Sequence, residues 1–392
     1  MTQMKILLIS SKYYPEYSGS GYRAHKTYLR LSKKYEIEFD VICNSKNFIR
    51  NRRYTHDGVK ILRIGSPFPL REKRNILYYP KQLINVFWQM FYILGFLIKH
   101  HHKYSLLHTF GDTWTIGFAT LFFSYKRKPI IRELCNDTNY PMYPIQIHSI
   151  IASIFKSENT LIVAISDRLK KSAEKYNPFK IWCRNNPVDE NRFNLNYNKQ
   201  ELLRDLTPFK NSDIILSIIA NIIPRKNQLF CLQVLSRLPE KFKLIIAGPL
   251  KKENKKYFDE LIRFIELNNL TKRVHINCEF ISNIEEYMKL SDIFLFPSLS
   301  EGLGTPVLEA QACGTPVVAN LINGITDKII ENGKGGFAIP LNQELWVQKI
   351  LNSLEIDQKD LKSNSLKVLG ISSSKEIDAG YYKIINTLFN EK

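Results

Sequence analysis

Residues 297–320, PSLSEGLGTPVLEAQACGTPVVAN, decide how the second half of this chain folds. The apolar residues IFLF lie directly before them and predict a buried strand. Gly302 and Gly304 then permit a tight turn. A helix begins near Thr305, with Pro306 in its first turn, where a missing N–H costs no hydrogen bond. We therefore expect a strand, a sharp turn and a helix whose N-terminus points to the carboxyl end of a sheet.

This turn is a candidate site for a diphosphate, because a helix N-terminus offers unpaired N–H groups and a partial positive charge. Glu301 and Glu309 flank the turn, and their carboxylates would repel a phosphate. We expect each to bind neutral hydroxyls instead, those of the two sugars on either side of a diphosphate. The alternative is that both glutamates are ordinary surface residues.

Short apolar runs alternate with helix-like segments along the whole chain, which is typical of parallel sheets covered on both faces. The runs lie at residues 5–10, 39–43, 106–110, 130–134, 160–166, 181–185, 214–220, 243–248, 274–280, 293–297, 316–320 and 337–340. This pattern predicts an α/β chain of two Rossmann-like domains with parallel sheets facing across a cleft. We place the domains at residues 1–190 and 213–374, joined by a polar linker at 191–212.

The net charge of +19 is concentrated in the first half of the chain. Residues 1–200 hold 32 Lys and Arg against 14 Asp and Glu, and residues 201–392 hold 24 against 23. We expect the first half to meet an anionic partner: a membrane surface, a phosphorylated acceptor or nucleic acid. A solvated basic face is the alternative. No nucleic-acid-binding module with interleaved aromatic residues is visible, so we expect no nucleic-acid partner.

The cysteines and the N-terminal residues indicate a reduced, cytoplasmic setting. Six cysteines lie far apart with no C-x-x-C pair, which argues against a metal knuckle or a disulfide framework. The opening MTQMKILLIS has an apolar run too short for a cleavable signal peptide. We expect a cytoplasmic protein with no metal site.

Residues 83–98 form a mostly apolar segment bracketed by lysines. One interpretation is a helix buried between the sheet and a domain interface. The other is a helix that lies in a membrane interface, anchored by Trp88, Tyr92 and the flanking lysines. The basic first half favours the second interpretation, and both stay open.

The stretch 297–320 resembles the Glu-x7-Glu motif of the retaining glycosyltransferases of family 4, which have the GT-B fold. NIIPRKNQ, KLIIAGPL and VHINCEFISNIEEYMKLSDIFLFPS resemble successive elements of the family's second domain. MKILLISSKYYPEYSGSG, VAISDRLKKSAEKY and RNNPVDENRF resemble parts of its first domain. The last segment, residues 375–392, resembles the family's C-terminal helix that packs back on the first domain.

The resemblance implies a role for each residue of the motif. Glu309 would bind the nucleotide ribose, and Glu301 would contact hydroxyls of the donor sugar near the reacting carbon. Lys226 would neutralise the charge that forms on the leaving diphosphate, which makes Glu301 and Lys226 the expected catalytic residues. The phosphate or the sugar would be held by a run of backbone amides, those of Gly302, Leu303, Gly304 and Thr305.

The resemblance also implies roles in the first domain. The glycine-rich loop Tyr17–Gly21, which contains Gly19 and Ser20, would approach the diphosphate from the opposite domain when the cleft closes. An ordinary glycine turn is the alternative. A second group of residues would line the crevice near the sugar or the acceptor, unless they form structural ion pairs. This group comprises Arg132, Glu133, Cys135, Asn136 and Asp137.

Two departures from the family pattern stand out. The family usually has an arginine five residues before the lysine, where this chain has Asn221, and we expect Arg225 to supply that charge. The family also often has a histidine near the donor sugar, where this chain offers Cys135 or Asn136. Both departures concern the identity of the sugar and the rate more than the class of reaction.

These implications lead to one expected function. A hexosyltransferase would use a UDP- or GDP-sugar as co-substrate, without a required cofactor, and would retain the anomeric configuration. Its acceptor would be a glycan or a lipid-linked oligosaccharide of capsule, O-antigen or exopolysaccharide assembly, with the protein cytoplasmic or peripheral on the inner face of the membrane. A nucleotide-sugar epimerase of the same fold and a catalytically silent nucleotide-sugar-binding scaffold are the alternatives.

Overall fold

The computed structural model describes residues 4–16, 18–45, 49–68, 78–111, 113–135, 160–174 and 180–390. The chain divides into two compact units. The first comprises Met1–Arg184 with Ile377–Lys392, and the second is Asn185–Glu376. Each unit has its own largely parallel sheet covered by helices, which confirms the predicted α/β fold.

The first unit is built on an eight-stranded sheet in the order β3-β4-β2-β1-β5-β6-β7-β8. All neighbouring strands are parallel except β3, which runs antiparallel to β4. The strands are β1 Lys5–Ser10, β2 Glu38–Asn44, β3 Arg52–His56, β4 Val59–Ile64, β5 Leu106–Phe110, β6 Ile130–Leu134, β7 Thr160–Ala164 and β8 Ile181–Cys183. The hairpin β3–β4 was not among the predicted runs.

Helices cover both faces of this first sheet. Strand β1 alternates, so that Ile6 and Leu8 face one helical layer and Leu7 and Ile9 face the other. The first layer contains α1 and α13, and the second contains α2 and α3. The helices with residues in this unit are α1 Gly19–Tyr35, α2 Tyr78–His100, α3 Trp114–Tyr125, α4 Asp167–Glu174 and α13 Ser374–Asn390.

The second unit is built on a six-stranded, fully parallel sheet in the order β11-β10-β9-β12-β13-β14. The strands are β9 Ile214–Ile219, β10 Phe242–Ala247, β11 Val274–Asn277, β12 Ile293–Phe296, β13 Val317–Asn320 and β14 Gly336–Ile339. The helices are α5 Lys199–Leu206, α6 Gln228–Leu235, α7 Lys255–Leu267, α8 Ile284–Leu290, α9 Thr305–Ala312, α10 Thr326–Ile329, α11 Gln343–Ser353 and α12 Gln358–Ser372.

The strand order of the second sheet reverses between β9 and β12. From β9 the chain adds β10 and β11 on one side, and from β12 it adds β13 and β14 on the other. Loops that leave two such strands diverge and open a crevice outside their carboxyl ends, where parallel sheets bind ligands. The loops after β9 and β12 carry PRKNQ and SEGLGTP.

The domain boundaries differ from those expected from the sequence. The division lies at Arg184 and Asn185 rather than at residue 190. The expected linker, residues 191–212, belongs to the second unit, since it contains α5, which packs on α8 and buries Leu203. Its polar composition is that of an amphipathic helix with one buried position. Of the expected C-terminal helix, residues Ile377–Lys392 belong to the first unit.

A buried ion network attaches α13 to the sheet of the first unit. The carboxylate of Glu133 in β6 accepts hydrogen bonds from Arg184 and from the hydroxyl of Tyr381 in α13. Arg184 Nη2 also donates to the Tyr381 hydroxyl at 2.5 Å, and His108 Nε2 lies 3.5 Å from Glu133. Burial alone would raise the pKa of Glu133, but the charge of Arg184 and the contacts from His108 and Tyr381 together outweigh it and lower the pKa to about 2. Removal of one partner therefore leaves an uncompensated buried charge.

We expect Arg184→Leu to lower the free energy of unfolding by about 3–5 kcal/mol at neutral pH, because Glu133 loses its buried partner. The loss should shrink as the pH falls toward 4. In the wild type the pKa of Glu133 is below its ordinary value, so its contribution fades on acidification, whereas the unpaired Glu133 of the variant gains a proton in the folded state. Urea denaturation at several pH values measures both effects.

The matched control is Arg237→Leu, which breaks the largely exposed pair Arg237–Glu344 in the second unit. Exposed pairs contribute about 0–1 kcal/mol, so this variant should stay near the wild type at every pH. Equal losses in the two variants would contradict a structural role for the buried network.

Candidate active site

The loops after β9 and β12 are joined to each other in the second unit. The backbone N–H of Leu299 donates to the carbonyl of Arg225 at 3.0 Å. The side chain of Asn227, which has a left-handed backbone conformation, donates to the carbonyl of Pro297 at 3.5 Å. From the end of β13, Asn320 donates to the carbonyl of Ser298 at 2.9 Å. These bonds position both loops at the reversal of strand order.

Gly304 shapes the start of α9. Its φ of +91° lies in the left-handed region, and it is the N-cap of a helix with Pro306 in its first turn. Because glycine offers no side-chain oxygen, the N-cap residue itself makes no capping bond to the first-turn amides. Thr305 is held from one side, since its hydroxyl accepts a hydrogen bond from the buried Asn186 at 2.7 Å. The helix thus presents an N-terminus suited to an anion.

Lys226 and Glu301 form an ion pair beside this turn. Lys226 Nζ donates to Glu301 Oε1 at 2.5 Å, and the two side chains are only 12% and 13% exposed. The ammonium also lies 5.4 Å from the ring centroid of Phe296. Burial lowers the pKa of Lys226, and the neighbouring Glu301 opposes that shift. The ammonium is therefore partly desolvated and would interact strongly with a phosphate placed next to it.

Arg225 contacts the same carboxylate. Its Nη1 lies 3.1 Å from Glu301 Oε1 and donates to the carbonyl of Ser300 at 2.5 Å. Asn221 is exposed at the end of β9, where its carbonyl accepts a hydrogen bond from Gln228. The charge of Arg225 therefore lies beside Glu301, and the expectation that it replaces the arginine of the resembling family stays a prediction.

Glu309 lies on the accessible side of α9. It is partly exposed together with Thr305 and Pro306, whereas the other five residues of the helix are buried. Residues four apart lie on one face of a helix, so Glu309 is one turn below Thr305 on the side of the turn. This position fits the expected contact with a ribose, and the contact itself stays a prediction.

Gly248 lies against the start of the loop after β9, and the sequence analysis did not single it out. It follows β10, its φ is +145°, and a Cβ there would lie 2.2 Å from the carbonyl oxygen of Ala220. The backbone therefore passes directly against the end of β9. The GP dipeptide after an apolar run was the available signal, since such a glycine often marks a close approach of two backbone segments.

The predicted loop of the first unit is a helix start. Gly19 and Ser20 are the first two residues of α1, which Ser18 caps by accepting from the N–H of Gly21 at 3.1 Å. A Cβ on Gly21 would lie 2.3 Å from the carbonyl oxygen of Lys12, so this turn is closely packed. Tyr17 lies outside the described residues. The expected contact of Gly19 and Ser20 with a diphosphate stays a prediction.

The residues expected to line a crevice in the first unit have different positions. Arg132 is buried within β6, and Glu133 belongs to the structural network with Arg184, so neither fits an open crevice. Cys135 directly follows β6, and burial raises the pKa of its thiol to about 11. Asn136 and Asp137 lie outside the described residues.

One cluster in the described part of the chain has the spacing of a metal site, and it lies in the first unit rather than beside Lys226. It consists of His25, His56 and Asp57. Its buried member, His25, already has two neighbours, with the hydroxyl of Tyr13 2.6 Å from Nδ1 and the carboxylate of Asp57 3.1 Å from Nε2. Both ring nitrogens of His25 therefore already have hydrogen-bonding partners.

Sequence comparisons connect the second unit with sugar transfer. The family described as glycosyl transferases group 1 matches residues 199–367. The UDP-Gal:alpha-D-GlcNAc-diphosphoundecaprenol alpha-1,3-galactosyltransferase of Escherichia coli is 28% identical over 184 residues, 45% of each chain. The O-antigen biosynthesis glycosyltransferase WclY of Escherichia coli is 28% identical over 162 residues, 39% of this chain and 42% of its own. Each alignment spans less than half of the relative's length.

Solved structures resemble the whole chain. Anabaena Alr3699/HepE in complex with UDP has a TM-score of 0.75 and 17% identity, with 98% of this chain and all of that chain covered. The sucrose-phosphate synthase of Thermosynechococcus elongatus has a TM-score of 0.74 and 15% identity, with both chains fully covered. The structural comparisons show the GT-B fold for this chain. At these identities the structural likeness shows the fold alone.

We expect Gly304→Ala to lower the free energy of unfolding by about 1–2 kcal/mol, because an L-residue is strained at a positive φ. The added methyl group has room, with its nearest neighbour the Phe296 ring at 3.4 Å, so the loss measures backbone strain. Chemical denaturation checks this value.

Gly370→Ala is the control, since Gly370 lies in α12 with nothing within 4 Å of its added Cβ. This variant should be more stable by up to about 1 kcal/mol. A Gly304→Ala variant as stable as the wild type would mean that α9 does not begin in the conformation described.

Proposed function

We propose that this protein transfers a hexose from a nucleotide diphosphate sugar to an acceptor hydroxyl, with retention of the anomeric configuration. The observation that carries the proposal is the partly desolvated Lys226–Glu301 pair beside the N-terminus of α9, at the reversal of strand order. The match of the second unit to glycosyl transferases group 1 supports the reaction class. We propose membership of the retaining family 4 on the Glu-x7-Glu motif.

The diphosphate would lie against the backbone amides of Gly302 to Thr305, at the turn that leads into α9, within reach of Lys226 and Arg225. Glu309 would bind the hydroxyls of the ribose, and Glu301 those of the transferred sugar. We propose a UDP- or GDP-sugar as donor, and a neighbour solved with UDP supports the first of these. The two cations and the helix N-terminus supply positive charge to the diphosphate, so we propose that no metal cofactor is required.

The chemistry breaks the bond between the anomeric carbon and the oxygen of the distal phosphate. The acceptor oxygen bonds to the same carbon on the same face, and its proton passes to the leaving phosphate oxygen. Negative charge grows on the diphosphate as the first bond breaks. A fixed ammonium next to that oxygen stabilises the transition state more than the ground state, which is what raises the rate.

The Lys226–Glu301 pair suits this sequence of events. Without donor, Glu301 compensates the charge of the buried ammonium. When the diphosphate enters, it can replace Glu301 as the counter-ion of Lys226. The carboxylate of Glu301 then becomes available for sugar hydroxyls. Lys226 and Glu301 thus pair with each other in the empty site, and with the phosphate and the sugar on either side of the scissile bond when the donor is bound.

For the acceptor, we propose a lipid-linked glycan at the inner face of the cytoplasmic membrane. The Escherichia coli relative is named for a diphosphoundecaprenol-linked acceptor, and another relative for O-antigen biosynthesis. The charge excess of residues 1–200 would attract an anionic lipid surface. The protein would then be cytoplasmic and peripheral on the membrane, within surface-polysaccharide assembly.

Helix α2 supports this location. Only Asn85, Ile93 and Leu97 of its residues are buried, so the interpretation of residues 83–98 as a buried helix is wrong. Exposed apolar side chains lie along it, including Leu83 and Ile84. By length and composition, Tyr78–Lys103 is the one helical stretch in the described ranges that could cross a membrane.

The fold favours a helix that lies on the membrane over one that crosses it. A helix of 23 residues is about 34 Å long, enough to cross. However, α2 connects β4 to β5, which belong to one sheet, and it packs along α3. A crossing would place the two strands on opposite sides of the bilayer. An interfacial helix is compatible with the sheet.

Kinetics of two site variants test the reaction. Lys226→Ala should lower kcat by about 100- to 1,000-fold, the usual loss when a group that stabilises developing charge is removed. Glu309→Ala should raise the donor KM by about 10-fold or more, since it loses charged hydrogen bonds to the ribose. Both constants are measured with labelled UDP- and GDP-sugars and a lipid-linked acceptor.

Lys243→Ala is the matched control, because Lys243 pairs with Asp213 and the two are 16% and 15% exposed. It should leave both constants unchanged. Free nucleotide with an extended acceptor supports the transferase. An epimerised donor would identify an epimerase, and tight donor binding without turnover a silent scaffold. Full activity in both site variants would remove the assignment.

Membrane attachment has its own test. Cosedimentation with anionic vesicles should weaken as salt rises, because exposed charges are screened. Leu83→Asp should weaken it by about 10-fold or more, since the variant no longer buries that side chain in the interface. Leu267→Asp, at an even more exposed leucine of the second unit, is the control. Vesicle binding that changes neither with salt nor with Leu83→Asp would contradict the proposed location.

A further inference from the structure

A groove of about 740 Å³ lies beside α2 in the first unit. One wall is aromatic and comes from Trp88, Phe91, Tyr92 and Phe96 of the helix. The other wall comes from the edge hairpin β3–β4, through residues that include Leu62. Such a volume is within the usual range of about 300–1,000 Å³ for sites that hold a small molecule.

The helix wall has a notch at its centre. Phe91, Gly95 and Lys99 are spaced by four residues and follow one line along α2. A Cβ on Gly95 would meet nothing within 4 Å, so the missing side chain leaves open space between an aromatic ring and an ammonium. Glycine inside a helix lowers its stability, and at position 95 it leaves space in the groove that a side chain would occupy.

Within the described ranges of the chain, the aromatic wall is left largely exposed. Phe91 is 70% exposed, Tyr92 41% and Trp88 38%. Large exposed apolar patches of this kind mark sites of contact with other molecules. The groove is therefore an apolar surface that is open to an occupant.

The charged rim indicates the sign of the charge that the occupant carries. Arg52 and Arg53 on the hairpin and Lys99 on the helix line the groove, and none of the described residues that line it is acidic. Burial lowers the pKa of His100 at the same rim, and the charges of Lys103, Lys99 and Arg53 lower it further. An anionic group is thus favoured at one end of an aromatic trough.

We propose that the groove binds one lipid phosphate, with the hydrocarbon chain along Trp88, Phe91 and Tyr92 and the phosphate between Arg52, Arg53 and Lys99. This rests on the proposed function, because the lipid would be the carrier of the acceptor glycan. A hydrocarbon joined to a phosphate satisfies both the aromatic wall and the cationic rim in one molecule. The groove then selects a lipid-linked acceptor, whereas the exposed face of α2 holds the protein on the membrane.

Calorimetric titration of the full chain with farnesyl phosphate tests the proposal, with farnesol and inorganic phosphate as separate probes. One equivalent of farnesyl phosphate should bind at least 10-fold more tightly than either probe. Equal affinity for farnesol would overturn the role of the rim, and equal affinity for inorganic phosphate would overturn that of the aromatic wall.

Two variants locate the site. Gly95→Leu should weaken farnesyl phosphate binding at least 10-fold while the melting temperature stays level or rises, because the substitution fills the notch and removes a helix-interior glycine. Arg53→Glu should weaken binding to a similar degree. Lys60→Glu is the matched control, since Lys60 is exposed on β4 outside the groove, and it should bind as the wild type does.

Several results would overturn the proposal. Unchanged binding in Gly95→Leu, or an equal loss in Lys60→Glu, would place the lipid elsewhere. If the wild type is a dimer and Gly95→Leu is a monomer, the occupant of the groove is a second copy of the chain. If the wild type transfers sugar but binds no farnesyl phosphate, the groove is not a lipid phosphate site, and the proposed function is unaffected. A chain that binds the lipid without any turnover of donor would remove the proposed function instead.

Discussion

Lys226 and Glu301 constrain each other at the carboxyl ends of β9 and β12, and the candidate site depends on that contact. Burial disfavours the charged ammonium, while the carboxylate 2.5 Å away favours it. Both side chains are largely desolvated, so each needs a polar partner there. A diphosphate can supply that charge for Lys226, and sugar hydroxyls can serve Glu301. The pair is therefore both a structural contact of the empty site and the basis of its proposed chemistry.

The sheet makes this contact possible. Because the strand order reverses between β9 and β12, two loops 75 residues apart along the chain meet over one crevice. Gly304 then lets α9 begin with a bare N-terminus, and Glu309 follows one turn later on the accessible side. Local turn geometry thus brings together an ammonium, a helix N-terminus and two carboxylates. The first unit contributes a different asset, a basic surface with an open aromatic groove beside α2.

The parts that could be predicted from the sequence are those encoded locally. Apolar runs predicted most strands, and glycine with proline predicted the turn before α9. The buried network of Glu133, Arg184 and Tyr381 could not be predicted, because its members are up to 248 positions apart and each appears as an ordinary charged or aromatic residue. The hairpin β3–β4 was missed since its edge strand is short and charged, and α5 appeared to be a linker because it buries a single leucine.

The most direct test of this account is a crystal structure of the protein with bound UDP or GDP. The account predicts diphosphate oxygens within hydrogen-bonding distance of the first-turn amides of α9 and of Lys226 Nζ, and ribose hydroxyls on the carboxylate of Glu309. A nucleotide bound elsewhere, with this turn empty and Lys226 still paired to Glu301, would contradict it.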